Sequence, residues 1–396
     1  MIGQRANDAA PSRRVALSFI VLLGVVSLLA DVTYEGARSA IGPYLAVLGA
    51  SGAVVGLVSG FGELAGYGLR LFSGYLSDRT GRYWAFTITG YAVNLLAVPL
   101  LALAGSWPLA AILIVAERTG KAIRSPARDA MLSHAAGEVG RGWGFGLHEA
   151  LDQIGAILGP LIVAAVLYRQ GRYQSGFAVL LIPALLALSV LLVAWRQFPR
   201  PQDLEAALPA LEGRGFPRRL WVYLLAVALL AAGFADFALI AFHFEQAAVV
   251  PGAWIPLFYA VAMGVDALAA LLLGRLFDRL GIAVLVGSTL LSVLFAPLVF
   301  MGGFYAALSG MILWGIGMAA QESVLRAAVA DMAPVERRGT AFGLFNSGYG
   351  IAWFLGSALM GFLYDRSIPV LVAFAVAVQL LAAIVFAVVA RERDHN

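Results

Sequence analysis

The pattern G-x-L-x-D-R-x-G occurs twice in the chain, at residues 74–81 and again at residues 274–281. Each copy is a short charged segment between two long apolar runs, and Asp31 in the first run matches Asp236 in the seventh at a similar offset. Self-similarity at about half the chain length indicates two copies of one structural module. The fold is therefore constrained to two related halves.

Composition places both halves in a lipid bilayer. The 396 residues are 61% hydrophobic and 13% charged, whereas soluble domains carry about 25% charged residues. The mean hydropathy is +0.86. The net charge is only +4 and there is no cysteine, which argues against nucleic-acid binding and excludes disulfides, thiolate metal sites and cysteine nucleophiles.

Twelve apolar runs are long enough to cross a hydrocarbon core about 30 Å thick, which takes about 20 helical residues. Their approximate limits are 16–41, 52–74, 84–105, 107–131, 142–167, 175–195, 219–246, 252–275, 281–301, 303–326, 339–363 and 368–390. The polar, proline-containing stretch 196–218 reads as a cytoplasmic linker between six-helix bundles at 1–195 and 219–396. The predicted fold class is an all-α integral membrane protein with twelve transmembrane helices in two bundles related by pseudo-twofold symmetry.

Arginines are distributed unevenly between the connections. Both termini and the even-numbered connections carry most of them, whereas the odd-numbered connections hold Arg169, Arg172 and Arg366. An excess of basic residues marks cytoplasmic loops. We therefore expect a multi-pass protein of the cell (inner) membrane with cytoplasmic N and C termini. We also expect the first apolar run to be a retained span, not a cleaved signal peptide.

The loop between the second and third runs has a glycine, then aspartate-arginine, then glycine-arginine, at Gly74, Asp78, Arg79, Gly81 and Arg82. In this loop, and over nearly the whole chain, the sequence resembles the major facilitator superfamily. A weaker copy of the loop contains Asp278 and Arg279. The resemblance implies that Asp78, with Arg79 and Arg82, latches the cytoplasmic ends of helices two and eleven in the outward-open state.

Helix five carries Gly146, Gly155, Gly159 and Pro160 at the spacing found in the drug/proton antiporter branch of that superfamily. Small residues allow helix backbones to approach closely in lipid, and proline weakens a helix at one turn. The resemblance therefore implies a bend in helix five and an export direction. The sequence departs from the branch in helix four, where an arginine is expected four residues before Gly120 and alanine stands instead.

Ionisable residues are missing from the apolar stretches of spans three, six, nine and twelve. A charge that faces lipid at the bilayer centre costs at least about 2.5–3.5 kcal/mol. These four spans are therefore the best candidates for the lipid-facing periphery, and the other spans for the walls of a polar cavity. The residues predicted for proton coupling and the substrate cavity are Asp31, Glu35, Arg38, Glu63, Glu117, Arg118, Lys121, Arg124, His148, Glu149, Asp152, Asp236, Asp266, Asn346, Tyr349 and Trp353.

Each embedded charge could serve transport, or could neutralise a neighbour and fix the helix packing. Glu35 with Arg38, and Glu117 with Lys121, have the spacing of neutralising pairs on one helix face. Asp31 lies deeper and has no partner in the local sequence, so it is a candidate for binding a proton. For Asp31 both interpretations stay open.

His148, Glu149 and Asp152 lie within about one helical turn of each other on helix five. They could hold and exchange a proton, bind a metal cation, or pair with the basic residues of helix four. We favour the third arrangement, because it would join helices four and five into one protonatable network.

These features favour a proton-coupled secondary transporter of a small organic solute that works by alternating access. We place an efflux antiporter before an uptake symporter of the same fold, and both before a lipid flippase. More acids than bases near mid-membrane favour a cationic or zwitterionic solute. The sequence has no nucleophile–base spacing, phosphate loop or metal pattern, so we expect neither an enzyme nor a bound cofactor or metal. The expected partners are the solute, protons and the lipid bilayer, without nucleic acid, and the expected state is a monomer.

Overall fold

The computed structural model describes residues 13–139, 141–199, 216–332 and 338–391. Within these ranges the chain forms helices and short connections, without a β-strand. The helices group into twelve units along the chain. They are α1 (Arg13–Val47), α2 (Gly52–Thr80), α3 (Tyr83–Leu100), α4 (Trp107–Val139), α5 (Arg141–Gln170), α6 (Tyr173–Val179 and Leu181–Gln197), α7 (Arg218–Gly233 and Phe237–Gln246), α8 (Ile255–Leu280), α9 (Ala283–Ser292 and Phe295–Met301), α10 (Phe304–Ala319, the π-helical turn Ala320–Val324 and Leu325–Met332), α11 (Arg338–Arg366) and α12 (Ile368–Arg391).

Each predicted apolar run coincides with one of these units, so the predicted twelve-helix fold class is confirmed. Among the described residues, ten units are long and apolar enough to cross a membrane by length and composition alone. α4 and α11 complete the set. α4 falls short of that measure because it carries a track of charged residues, from Glu117 to Asp129.

The number of spans fixes where the two ends of the chain lie. Twelve spans alternate in direction, so the start of α1 and the end of α12 are on one side of the bundle. We call this the termini side and the opposite face the far side. The predicted linker 196–218 lies mostly outside the described residues, and the division of the chain around it stays a prediction.

The backbone conformation explains why each copy of the repeated motif ends in glycine. Gly81 ends α2 with φ at +65° and Gly281 ends α8 with φ at +60°. The left-handed region favours glycine at a helix end, because other residues pay a steric cost for their Cβ atom there. In the second copy, Asp278 and Arg279 lie exposed in the last turn of α8.

The two halves differ at the matched aspartates. α1 continues without a break through Asp31, whereas α7 is interrupted and resumes at Phe237. Asp236 caps the second piece of α7, because its Oδ1 accepts a hydrogen bond from the N–H of Ala238 at 2.8 Å. A side-chain cap of this kind stabilises a helix start that would otherwise leave its amides unpaired.

α3, α6, α9 and α12 contribute no described residue to the wall of the central cavity. Their outer faces instead expose large apolar side chains, including Leu96, Leu186, Leu290 and Ile384. These are the four units that the sequence predicts for the periphery. Apolar side chains on an outer face are compatible with contact to lipid.

Candidate solute cavity

A cavity of about 410 Å³ lies between the two halves. α1, α2, α4 and α5 of the first half line it together with α8, α10 and α11 of the second. Of the residues predicted from the sequence, its wall contains Asp31, Glu35, Arg38, Glu63, Arg118, Lys121, Arg124, Glu149, Asp152, Asp266, Tyr349 and Trp353. A concave site of this size with charged and aromatic walls suits a small polar organic molecule.

Four predicted residues lie outside this wall: Glu117, His148, Asp236 and Asn346. The carboxylate of Glu117 is buried and accepts a hydrogen bond from Asn94 Nδ2 on α3 at 2.7 Å. Its side chain therefore serves the packing of α3 against α4.

An ionic network crosses the cavity near the middle of the bundle. Arg38 of α1 lies 3.8 Å from Glu35, 3.8 Å from Glu63 of α2 and 3.6 Å from Asp236 of α7. Arg118 of α4 approaches Glu63 at 3.3 Å. The sequence suggests a simple pair of Glu35 with Arg38, but the structure shows Arg38 shared among three acids from both halves.

The predicted pair of Glu117 with Lys121 is not formed. Glu117 binds its neighbour Arg118 at 3.4 Å instead. Lys121 points toward α1, with Nζ 4.0 Å from Glu35 and 3.9 Å from the ring centroid of Tyr34. The i,i+4 spacing places two side chains on one face but does not decide which partner lies across from each of them.

A second polar group lies nearer the termini side. Arg128 of α4 donates a hydrogen bond to Ser27 of α1 at 2.8 Å and pairs with Asp129 at 2.8 Å. On α5, His148 Nδ1 lies 3.3 Å from Asp152. The direct ion pair between α4 and α5 that the sequence suggests is not present among the described residues. The described residues also contain no group of three His, Asp or Glu side chains arranged to hold a metal ion.

Two acids of the cavity wall are buried without a cation. Asp31 is 5% exposed and Asp266 of α8 is 2% exposed. Oδ1 of each carboxylate has no hydrogen-bond partner, and no described basic side chain lies within 4.0 Å of either. Burial of a charge is costly unless a partner compensates it. These two groups are therefore chemically different from the paired acids around Arg38.

Aromatic residues that the sequence prediction omits complete the wall. Tyr259 of α8 donates a hydrogen bond to Glu35 Oε2 at 2.5 Å and so joins the two halves. Tyr67 of α2 packs against Tyr349 of α11 with ring centroids 5.3 Å apart. Tyr67 lies four residues after Glu63, which is one helical turn along the same face. That spacing could have identified Tyr67 from the sequence.

The far side of the cavity is closed by polar contacts between the halves. Asp365 at the end of α11 accepts hydrogen bonds from the N–H groups of Gly52 and Ala53, each at 2.8 Å, and so caps α2. Tyr173 of α6 donates to Glu245 of α7 at 2.6 Å. An acid at a helix N-terminus pairs free amides and interacts favourably with the helix dipole.

Close backbone packing completes this closure. A Cβ atom added at Gly42 of α1 would overlap the carbonyl oxygen of Ala238 in α7. One added at Gly56 of α2 would overlap the carbonyl oxygen of Ser357 in α11. Small residues at such crossings allow helices to touch directly. The far side is therefore sealed by helix contact as well as by hydrogen bonds.

The wall is more accessible toward the termini side. Glu322 and Arg326 of α10 belong to the cavity wall and are exposed. They have the i,i+4 spacing of an ion pair on one helix face, but the two side chains do not approach within 4.0 Å. The π-helical turn that contains Glu322 is a feature often found at functional sites.

The predicted latch lies at the end of α2. Gly74 allows α2 to approach Pro126 of α4, since an added Cβ would lie 3.3 Å from the Cβ of Pro126. Arg79 donates to the hydroxyl of Tyr75 at 3.4 Å. The side chain of Asp78 and those at the start of α11 lie outside what the structure describes, so the latch stays a prediction. Arg82 is exposed just before α3.

Glycines of the helix-five signature bring α5 onto α1. A Cβ atom at Gly155 would overlap the carbonyl oxygen of Leu28, and one at Gly159 would overlap that of Val32. Pro160 lies inside α5, which runs as one uninterrupted helix. What packs against Gly146 lies outside what the structure describes. The signature therefore serves helix contact beside Asp31.

The whole chain between residues 23 and 396 matches the Major Facilitator Superfamily profile, in segments 23–304 and 253–396. The chain belongs to this superfamily. An uncharacterized protein of Mycobacterium bovis is 45% identical over 392 residues, which cover 96% of this chain and 96% of that protein. An uncharacterized MFS-type transporter of Methanocaldococcus jannaschii is 25% identical over 357 residues, covering 88% of this chain and 89% of that one.

Solved structures agree with this assignment. The crystal structure of a mutant of the nucleoside transporter NupG gives a TM-score of 0.73 at 16% identity and covers 94% of this chain and 98% of that chain. At this identity the likeness shows the fold alone. Superfamily membership makes the chain a multi-pass membrane transporter that works by alternating access, and the cavity between its halves is the candidate site for the solute.

Proposed function

We propose that this superfamily member couples the movement of a small organic solute to the movement of protons, with Asp31 as the proton-binding carboxylate. The observation that carries the proposal is that Asp31 is buried in the cavity wall with an unpartnered carboxylate oxygen. A bound proton removes the charge and with it the cost of burial. For the paired acids of the cavity, neighbouring cations offset the cost of burial instead.

The surroundings of Asp31 allow a solute to influence its proton. Asp152 of α5 and Lys121 of α4 lie close enough to act on Asp31 electrostatically. All three side chains line the same cavity. A charged solute bound there changes the electrostatic potential at Asp31. Such interactions are strong where the dielectric constant is low. Binding of solute and binding of a proton are therefore linked.

The contacts between the halves supply the conformational part of the cycle. Arg38 with Asp236, and Tyr259 with Glu35, hold the two halves together at the far-side end of the cavity. These contacts must break when the far side opens. Arg38, Glu35 and Tyr259 also line the cavity, so a bound solute can compete for them.

We assign the direction as export in exchange for protons. Support comes from the glycine-proline signature of helix five and from the resemblance it carries. The test uses purified protein in proteoliposomes and a solute found in a thermal-shift screen at two pH values. Solute should move against the proton flux, and reversal of the pH gradient should reverse the net flux. Movement together with protons would identify an uptake symporter, and equal movement with either gradient would exclude coupling.

A further inference from the structure

Arg124 of α4 is the one fully buried arginine in the described part of the cavity wall, with 1% of its surface exposed. Its Nε and Nη1 atoms have no hydrogen-bond partner. No described carboxylate lies within 4.0 Å of its guanidinium group. By contrast, Arg38 and Arg118 each bind at least two carboxylates.

Aromatic rings hold Arg124 in place instead. Its Cζ lies 4.2 Å from the ring centroid of Tyr91 on α3 and 5.7 Å from that of Tyr34 on α1. Cation–π contacts offset only part of the cost of removing a guanidinium group from water. The hydroxyl of Tyr91 is itself buried without a hydrogen-bond partner. Arg124 and Tyr91 thus both have buried donor groups without a hydrogen-bond partner.

We propose that Arg124 binds an acidic group of the transported solute, a carboxylate or a phosphate. The proposal rests on the proposed transport function, because it names the chemistry of the solute in the same cavity. A planar guanidinium group held between rings presents fixed donors that match the oxygen atoms of such an acid. Lys121 brings a second cation to the ring of Tyr34, with Nζ 3.9 Å from its centroid.

The first test measures the stability of the empty protein. A buried charge that waits for a ligand costs stability when the ligand is absent. Arg124→Gln should therefore unfold at the same temperature as the wild type or at a higher one, in buffer without polyvalent anions. Arg118→Gln breaks two ion pairs and should unfold at a lower temperature. A clear loss of stability in Arg124→Gln would mean that Arg124 stabilises the fold through its contacts with Tyr91 and Tyr34. That result would overturn the proposal.

The second test uses a chemical reporter beside the proposed site. Lys121 is the only lysine in the sequence. Its acetylation by a water-soluble, amine-reactive acetylating reagent can therefore be followed by mass spectrometry. The probes are inorganic phosphate against chloride at equal ionic strength, nicotinate against nicotinamide, and 4-aminobutyrate against its amide. The protein is kept in maltoside detergent, which carries no acidic group. At least one acid should slow acetylation about fivefold more than its uncharged counterpart, because it occupies the space in front of Lys121.

The protection should disappear in Arg124→Gln and persist in Arg196→Gln, a matched change of charge at an exposed position of α6. Absence of protection by every acid, or its persistence in Arg124→Gln, overturns the proposal. Protection by added phosphatidylglycerol alone also overturns it, because the occupant is then a lipid headgroup. Proton coupling does not enter this assay. A transporter that binds acids without coupling contradicts only the proposed function, and a coupled transporter that does not distinguish acids contradicts only the role of Arg124.

Discussion

Arg38 of α1 and Asp236 of α7 form an ion pair between the two halves of the transporter, with nitrogen and oxygen 3.6 Å apart. Asp236 also caps the second piece of α7 through its Oδ1. One side chain thus fixes a break in a helix and holds the halves together. The pair lies where the cavity meets the sealed far side, so it links solute access to the state of the seal.

Asp236→Asn tests this link while keeping the cap, because asparagine caps helices about as well as aspartate. Removal of one charge from a buried ion pair costs about 3–5 kcal/mol when its partner is left unpaired, and the cost here is smaller because Arg38 keeps Glu35 and Glu63. The protein has no cysteine. Ala46 is buried and lies one turn after Gly42 on the same face of α1, so a single cysteine there reports opening of the far side by its alkylation rate. The rate should rise by about tenfold or more. An unchanged rate would show that the ion pair does not hold the far side closed.

Asp365→Ala tests the cap that α11 places on α2. Removal of a helix cap costs about 1 kcal/mol, which corresponds to about a fivefold shift toward the open far side. The alkylation assay at Ala46→Cys measures this shift. Asp278→Ala removes an exposed acid on the termini side and should leave the rate unchanged. Equal effects of the two substitutions would contradict the proposed closure.

Gly56→Ala tests the backbone contact of α2 with α11. The added Cβ atom overlaps the carbonyl oxygen of Ser357, so the two helices must separate. The far side should then open, and alkylation of a cysteine at position 46 should accelerate. Gly68→Ala is the matched control on the same helix, because nothing lies within 4 Å of a Cβ atom there. This control should be neutral or stabilising by up to about 1 kcal/mol.

Asn94→Ala tests the structural role of Glu117. The substitution leaves a buried carboxylate without the hydrogen bond from Asn94 Nδ2, which is 2.7 Å long. Hydrogen bonds to charged groups contribute about 1.5–3 kcal/mol, so the melting temperature should fall. Proton-driven transport should be retained in the folded fraction, because Glu117 lies outside the cavity wall. Loss of proton coupling without loss of stability would contradict this structural role and would indicate that Glu117 acts in transport.

The helices could be predicted from the sequence nearly to their ends, because the bilayer imposes one simple rule of length and apolar character. The apolar run 107–131 predicts α4 as a span although it carries several charges. The interruption of α7 could not be predicted. Ala235-Asp236 matches Ala30-Asp31 in type, and only the tertiary structure shows that one aspartate caps a helix while the other lies inside one.

The composition of the cavity could be predicted better than its contacts. Embedded charge identified Arg38, Glu63 and Arg118 as residues of a polar interior. The spacing along a helix predicts the contact of Arg38 with Glu35. It could not show that Arg38 also binds Glu63 and Asp236, because those two acids come from distant parts of the chain. For the same reason Lys121 was paired with Glu117, although it lies over the ring of Tyr34.

The central claim is that Asp31 carries the coupling proton, and Asp31→Asn tests it most directly. Asparagine keeps the shape of the side chain but cannot exchange a proton. In proteoliposomes, the variant should lose solute accumulation driven by a pH gradient while it retains exchange of labelled for unlabelled solute without a gradient. Proton flux measured with an internal pH dye should fall to background in the same vesicles. Accumulation and proton flux at wild-type levels in Asp31→Asn would contradict the account.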